Sequence, residues 1–131
     1  QTIEKVHLID IIRIKLSTIR FHVFRLEDPH TIIGTVCLHD VLRMPYCCCE
    51  IGYKFDHAYH HQGYAREAVA KALEIAFFEL GVHRVFARVM PENTPSIQLL
   101  QSLGFTEEGL ERGCIQIQGK WTDHIRFALL A

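Results

Sequence analysis

Between residues 47 and 90 the sequence changes its hydrophobic period twice, and that limits the folds open to it. Residues 47–55, CCCEIGYKF, and 83–90, HRVFARVM, are short apolar runs of the kind that form strands. Between them, Ala65, Ala68, Val69, Ala72, Leu73, Ala76, Phe77 and Leu80 recur at steps of three and four. That spacing predicts a helix over 64–80 with one buried face. Glu67 and Lys71 are expected to pair on its other face, and Gly81 to end it. A strand, a helix and a second strand of this length imply a crossover between parallel neighbours.

The flanks predict further strands. Residues 19–26, IRFHVFRL, alternate apolar and polar, and 31–39, TIIGTVCLH, read as the return strand after a turn at 27–30 that Pro29 fixes. Gly52, inside the 47–55 strand, suggests a bulge or a close approach by another backbone or a ligand. Thr94 and Pro95 predict an N-cap and first helical position, opening a helix to Leu103 that Gly104 ends. Residues 105–113 and 122–130 read as closing strands. At the front, Ile3, Val6, Leu8, Ile9, Ile12 and Leu16 fall near helical spacing and predict an amphipathic helix over 2–16. The order helix, three strands, helix, strand, helix, two strands gives an α/β class with a mixed sheet, an antiparallel meander joined to a central parallel pair.

The chain has 131 residues, the size of one domain, and 49% of them are hydrophobic, enough to bury a core. A formal net charge of −1 argues against broad electrostatic binding to nucleic acid or anionic membrane. No apolar run approaches the roughly 20 residues that span a bilayer. Glu4, Lys5, Asp10, Arg13 and Lys15 break up the first 16 residues, so these do not read as a signal peptide, and a soluble cytoplasmic protein is expected. Cys37, Cys47, Cys48, Cys49 and Cys114 are odd in number and contain no Cys-x-x-Cys pair. Consecutive strand residues face opposite ways, so the three adjacent cysteines are expected as reduced thiols packing like small apolar residues. The nine histidines are scattered apart from His60–His61, and no metal site is expected.

The stretch HHQGYAREA, His60 to Ala68, joins a strand to the strongest helix. A helix N-terminus offers free N–H groups and partial positive charge, which suits phosphate. Gly63 and Ala65 are small enough to let a pyrophosphate approach the amides of residues 61–66, and Arg66 adds charge. An ordinary strand-to-helix turn needs the same small residues, so the residues alone leave both readings open.

Three blocks in order carry a resemblance: EIGYKFDHAYHHQGYAREAVAKALEIAF, then NTPSIQLLQSLGF, then EEGLERG and GKWTDHIRFALL. Together they resemble the GNAT superfamily of acetyltransferases, closest to its RimJ/RimL-like branch, over about residues 32–131. The resemblance implies helices on both faces of a sheet whose central parallel strands splay around acetyl-coenzyme A. It implies a single N-acetyltransferase domain over 1–131 that transfers acetyl directly to a primary amine in a ternary complex. The acceptor would be a protein N-terminus, a polyamine or an amino sugar, and the protein a monomer or homodimer.

Site roles follow from the resemblance residue by residue. His60, His61, Gln62, Gly63, Tyr64, Ala65 and Arg66 would hold the pyrophosphate. His60 stands where the family has Gln or Arg, and His61 where the branch often has glycine. Tyr53 and Phe55 lie on the strand that meets the pantetheine arm; Tyr53 equally suits plain packing. Glu50 matches an acidic residue beside the acyl group and would take the amine proton; it also suits an exposed strand position. Asn93 and Ser96 match an Asn-x-x-Ser pattern near the coenzyme, Ser96 serving the sulfur, although simple helix capping would explain both. The superfamily's usual tyrosine is missing from SIQLLQSLGF. The family's first strand and a further helix are expected to be absent before residues 2–16, which would leave a sheet edge and part of the acceptor wall open. Two other classes stay open: a non-catalytic coenzyme A-binding module, and a structural α/β interaction domain.

Overall fold

In a computed structural model, residues 4–14 and 17–131 are described. Among them, seven strands form one sheet in the order β1-β2-β3-β4-β5-β7-β6. The strands are β1 Val6–Ile14, β2 Thr18–Arg25, β3 Asp28–Leu42, β4 Cys48–Phe55, β5 Arg84–Val89, β6 Thr106–Ile117 and β7 Lys120–Leu130. The helices are α1 Tyr64–Glu74, which runs on as a π-helical turn Ile75–Glu79, and α2 Thr94–Ser102. Only β4 and β5 pair in parallel; the other neighbours are antiparallel. The expected mixed sheet with its central parallel pair is therefore present.

The helix expected over 2–16 is instead a strand where the structure describes it; residues 1–3, 15 and 16 lie outside the described residues. Val6 is fully buried and Leu8 packs on the core, while His7 and Ile9 are exposed. That is a period of two. The segment is rich in Ile and Val, which suit a pleated strand, and β2 supplies the ladder that makes it one. Among the described residues β1 is the outer strand of the sheet and pairs with β2. Glu67 and Lys71, expected to pair with each other, both reach this strand. Glu67 Oε2 accepts from the amides of Lys5 and Val6 at 2.7 and 2.8 Å. Lys71 Nζ donates to the Val6 carbonyl at 2.9 Å and pairs with Glu4.

Other boundaries shift for local reasons. The β2–β3 turn is tighter than expected, with Arg25 facing Asp28 across Leu26 and Glu27. Pro29 is therefore the second residue of β3, in the register shift between the Arg25–Asp28 and Phe24–Ile32 pairs, where a proline is tolerated. The last two strands extend through residues 114–121 because Gln118 and Gly119, at φ 50 and 79, make a two-residue turn whose twist matches a hairpin. At Gly52 there is no bulge: it pairs regularly with Cys37, and the irregularity falls between His39 and Leu42. The close neighbour of Gly52 is the His39 ring, whose Nε2 lies 3.3 Å from where a Cβ would stand.

One apolar cluster holds the fold. It joins Ala68, Val69, Ala72 and Leu73 of α1 and Leu100 of α2 to inward residues of every strand from β1 to β5 and to Phe127 of β7. Each large side chain buried here contributes roughly 1.5–3 kcal/mol. Both helices rest on this one sheet face and touch through Arg66 and Ser102. Helices on both faces had been expected; among the described residues both helices lie on the one face, and the other carries Arg20, Cys37, His39, Glu50, Phe86, Arg88 and Arg126. No helix of the described residues is long and apolar enough to cross a membrane.

Candidate active site

The parallel pairing of β4 with β5 is short. It registers Cys48 with Arg84, Cys49 with Val85 and Glu50 with Phe86, and then stops. Beyond that point Ile51–Phe55 and Ala87–Val89 line a cleft of about 830 Å3. The cleft continues along the loop before α1 and the start of α2. Its size falls within the roughly 300–1,000 Å3 of small-molecule sites. Strands that part inside a sheet leave backbone groups without ladder partners, and a ligand with amide groups can supply them.

The loop before α1 is shaped by three residues. Gly63, at φ 80, is the N-cap of α1, and nothing nearer than Lys5 Nζ at 3.6 Å would meet a Cβ there. His61 has φ 63, a conformation that glycine adopts freely, which explains why a glycine suits that place. His60 Nε2 donates to the Phe55 carbonyl at 2.9 Å and ties the loop to the end of β4. Gln62 Nε2 donates to the Ala58 carbonyl at 3.1 Å, and Gln62 is not part of the cleft lining. Arg66 Nε and Nη2 donate to Ser102 Oγ and O at 3.1 and 3.2 Å, so it fastens α1 to α2 at the rim.

Of the candidate residues, Tyr53, Phe55, His60, His61, Gly63, Tyr64, Ala65, Arg66, Asn93 and Ser96 line this one cleft. Asn93, not Thr94, caps α2: its Oδ1 accepts from the Ser96 amide at 3.3 Å. Tyr53 Oη and Ser96 Oγ are 2.5 Å apart across the cleft wall. Burial raises the Tyr53 pKa, only partly offset by Ser96, so it stays a phenol at neutral pH.

Glu50 stands apart from the cleft lining, at the apex where β4 and β5 part. Arg88 Nη1 donates to its Oε1 at 2.8 Å. Arg88 Nε donates to Glu111 Oε2 at 3.0 Å, and Arg126 pairs with the other Glu111 oxygen. Both guanidinium groups stack on Phe86, at 5.2 and 4.2 Å. Burial alone would raise the Glu111 pKa, but the hydrogen bonds from Arg126 and Arg88 outweigh it and lower it.

Sequence reasoning passed over Tyr59, Arg88 and His124, which also line the cleft. For Arg88, its alternation with the apolar Val85, Ala87 and Val89 on a predicted strand was the available signal. His124 is 5% exposed, with Nδ1 at 3.6 Å from Cys114 Sγ. All five cysteines are free thiols. Cys48 and Cys49 take opposite faces as expected, but Cys37 does not pack as a simple apolar residue. Arg20 Nε donates to its sulfur at 3.3 Å. Burial pushes the Cys37 thiol up, while hydrogen bonds with His39 and Arg20 bring it below its ordinary value.

A family profile described as an acetyltransferase (GNAT) domain matches residues 5–106. A probable N-acetyltransferase of Bacillus subtilis, YjcK, is 39% identical over 110 residues, 84% of this chain and 60% of that protein. The [ribosomal protein uS5]-alanine N-acetyltransferase of Escherichia coli is 34% identical over 108 residues, 81% of this chain and 56% of that one. Among solved structures, Mycobacterium smegmatis RimJ in complex with CoA-disulfide superposes with a TM-score of 0.82 at 30% identity, covering 88% of this chain and 54% of that one. The chain spans about half to three-fifths of the length of these relatives.

Proposed function

Because this chain belongs to the GNAT acetyltransferase family, we propose that it transfers an acetyl group from acetyl-coenzyme A to a primary amine by direct transfer in a ternary complex. The observation that carries the reading is the parting of β4 from β5 after Glu50 and Phe86, which opens a long cleft onto the N-terminus of α1. The residues fit the coenzyme: a left-handed Gly63 at a helix start for the pyrophosphate, and unpaired strand backbone for the pantetheine amides. Acetyl-coenzyme A supplies the activated acyl thioester. This chain supplies the rest.

In this reading the amides of residues 61–66 bind the pyrophosphate, with His60, His61 and Gln62 shaping the loop. Tyr64, Ala65 and Arg66 form the first turn beneath it. Phe55 and Tyr53 border the arm, and an N–H of β4 polarises the thioester carbonyl. Glu50, at the apex of the splay, accepts the amine proton directly or through water. Asn93 fixes the start of α2, and Ser96 serves the sulfur. We assign the described sheet and its helices to one N-acetyltransferase domain acting in the cytoplasm, as a monomer or homodimer. The acceptor is a protein N-terminus or a small amine.

The ion pair that Arg88 of the cleft lining makes with Glu50, itself outside that lining, favours a second reading. A carboxylate engaged by a guanidinium and set off the cleft lining can serve the sheet alone, which suits a module that binds coenzyme A without turnover. Calorimetry of the chain with acetyl-coenzyme A, followed by acetylation assays over a panel of peptides, polyamines and amino sugars, separates the two. Binding with turnover of any amine supports the enzyme, and binding without turnover supports the module. A folded chain that binds no coenzyme A species defeats both.

A further inference from the structure

The hydroxyls of Tyr53 and Ser96 come from elements 43 residues apart in sequence and meet at 2.5 Å in the cleft wall. We infer that Tyr53 is a positioning residue, whose phenol donates to Ser96 Oγ and so turns the serine's own O–H into the cleft, toward the coenzyme sulfur. The inference rests on the acetyltransferase reading.

Three observations support the direction of that hydrogen bond. A phenol is a better donor than an aliphatic alcohol, and a serine hydroxyl has one proton and two lone pairs. Tyr53 stays protonated at neutral pH, since burial opposes its anion. Ser102, on the same helix, shows the usual alternative, donating back to the Leu99 carbonyl at 2.7 Å. Ser96 sits in the first turn, where its amide donates to the Asn93 side chain and its Oγ faces the phenol. The neighbours of Tyr53 on the same strand face, Cys49, Ile51 and Phe55, are all apolar, so its hydroxyl has the serine as its partner there.

The chemistry asked of the pair is modest. As the C–N bond forms and the C–S bond breaks, Ser96 hydrogen-bonds to the electron pair left on sulfur and keeps its proton. The proton released is the amine's. A coenzyme thiol ionises near an ordinary pKa of about 8.5, so stabilising its anion is enough. Donation from Tyr53 polarises the serine O–H and strengthens its hydrogen bond to the anion.

The test reads binding and needs no acceptor. Free coenzyme A and acetyl-coenzyme A are titrated calorimetrically at pH 7, 8 and 9 into the wild-type chain, Tyr53→Phe, Ser96→Ala and the double variant, all checked for folding by melting. Other titratable or charged groups face the cleft: Lys54 on β4, Tyr59, His60 and His61 in the loop, Tyr64 and Arg66 on α1, Arg88 on β5 and His124 on β7. Acetyl-coenzyme A, which has no thiol, measures their contribution, and the ratio of the two affinities removes it. For the wild type we expect free coenzyme A to gain about tenfold over acetyl-coenzyme A between pH 7 and 9, as the thiolate forms. Tyr53→Phe and Ser96→Ala should each lose most of that gain, measured against the same variant's own acetyl-coenzyme A affinity, and the double variant should lose no more. Tyr53→Phe with the wild-type pH dependence, or losses that add, would overturn the inference. Should Tyr53→Phe not fold, Ser96→Ala still decides, because retention of the gain removes the serine from the sulfur. A wild-type chain that binds no coenzyme A species removes the acetyltransferase reading itself, and this inference with it.

Discussion

Arg88 Nη1 donates to Glu50 Oε1 at 2.8 Å, at the last residue pair joining β4 to β5. The hydrogen bond occupies one carboxylate oxygen and places the charge beside the mouth of the splay. Glu50→Gln keeps the shape and the hydrogen-bond acceptor but removes the base. Acetylation near neutral pH should fall by about a hundredfold, at the low end for a lost general base, with acetyl-coenzyme A affinity unchanged. An unchanged rate in steady-state kinetics would remove Glu50 as the base.

Gly63 combines a left-handed backbone, φ 80, with the N-cap of α1. Gly63→Asp adds a carboxylate at the mouth of the proposed phosphate cradle and strains the turn. Acetyl-coenzyme A binding should weaken at least about tenfold, or 1.4 kcal/mol, by calorimetry. A folded variant that binds normally would put the pyrophosphate elsewhere.

Gly34 faces Phe55 across the β3–β4 ladder, and a Cβ there would lie 2.5 Å from the Phe55 ring and 2.7 Å from the Lys54 carbonyl. The contact is with backbone as well as with a ring that lines the cleft. Gly34→Ala should destabilise the fold by about 1–3 kcal/mol, the usual cost of overpacking. Urea denaturation measures it, and a variant as stable as the wild type would show that Phe55 moves freely.

Glu111 is held by Arg88 and Arg126, and its pKa is lowered from 4.5. A carboxyl with a folded pKa below its unfolded one adds stability that is present above the unfolded value and is lost as pH falls through the folded one. Stability should therefore decline as pH drops below about 4.5, and Glu111→Gln should flatten that decline. Denaturation midpoints between pH 3 and 6 check it, and an identical slope in the variant would show that the pair contributes nothing.

Cys49 is buried among apolar side chains, and burial pushes its thiol up to about 12. Iodoacetamide at pH 8 should modify Cys47 and Cys48, which are partly exposed, well before Cys49. Mass spectrometry of the native protein reads the order, and early labelling of Cys49 would mean that β4 opens readily.

Much of this architecture was legible in the sequence because it rests on local rules. The apolar spacing from Ala65 to Leu80 needs only one buried face, and the structure buries that face. The alternation in 19–26 and 83–90 gives strands wherever a sheet can form. A small residue at 63 before a helical run marks a helix start whatever the fold. Ten of the candidate residues therefore reach one cleft, since they lie on elements whose ends meet at the same strand tips.

Tertiary structure decided what local period leaves degenerate. Residues 6–14 fit a helix by spacing and a strand by composition, and the β2 ladder settled it. Glu67 and Lys71 could pair along a helix, but β1 offered them backbone partners. The parting of β4 from β5, the Arg88–Glu50 pair and the Tyr53–Ser96 contact join residues about 40 positions apart. Such contacts form only when the chain closes long loops, and their partners are chosen by register and burial, which no single segment encodes.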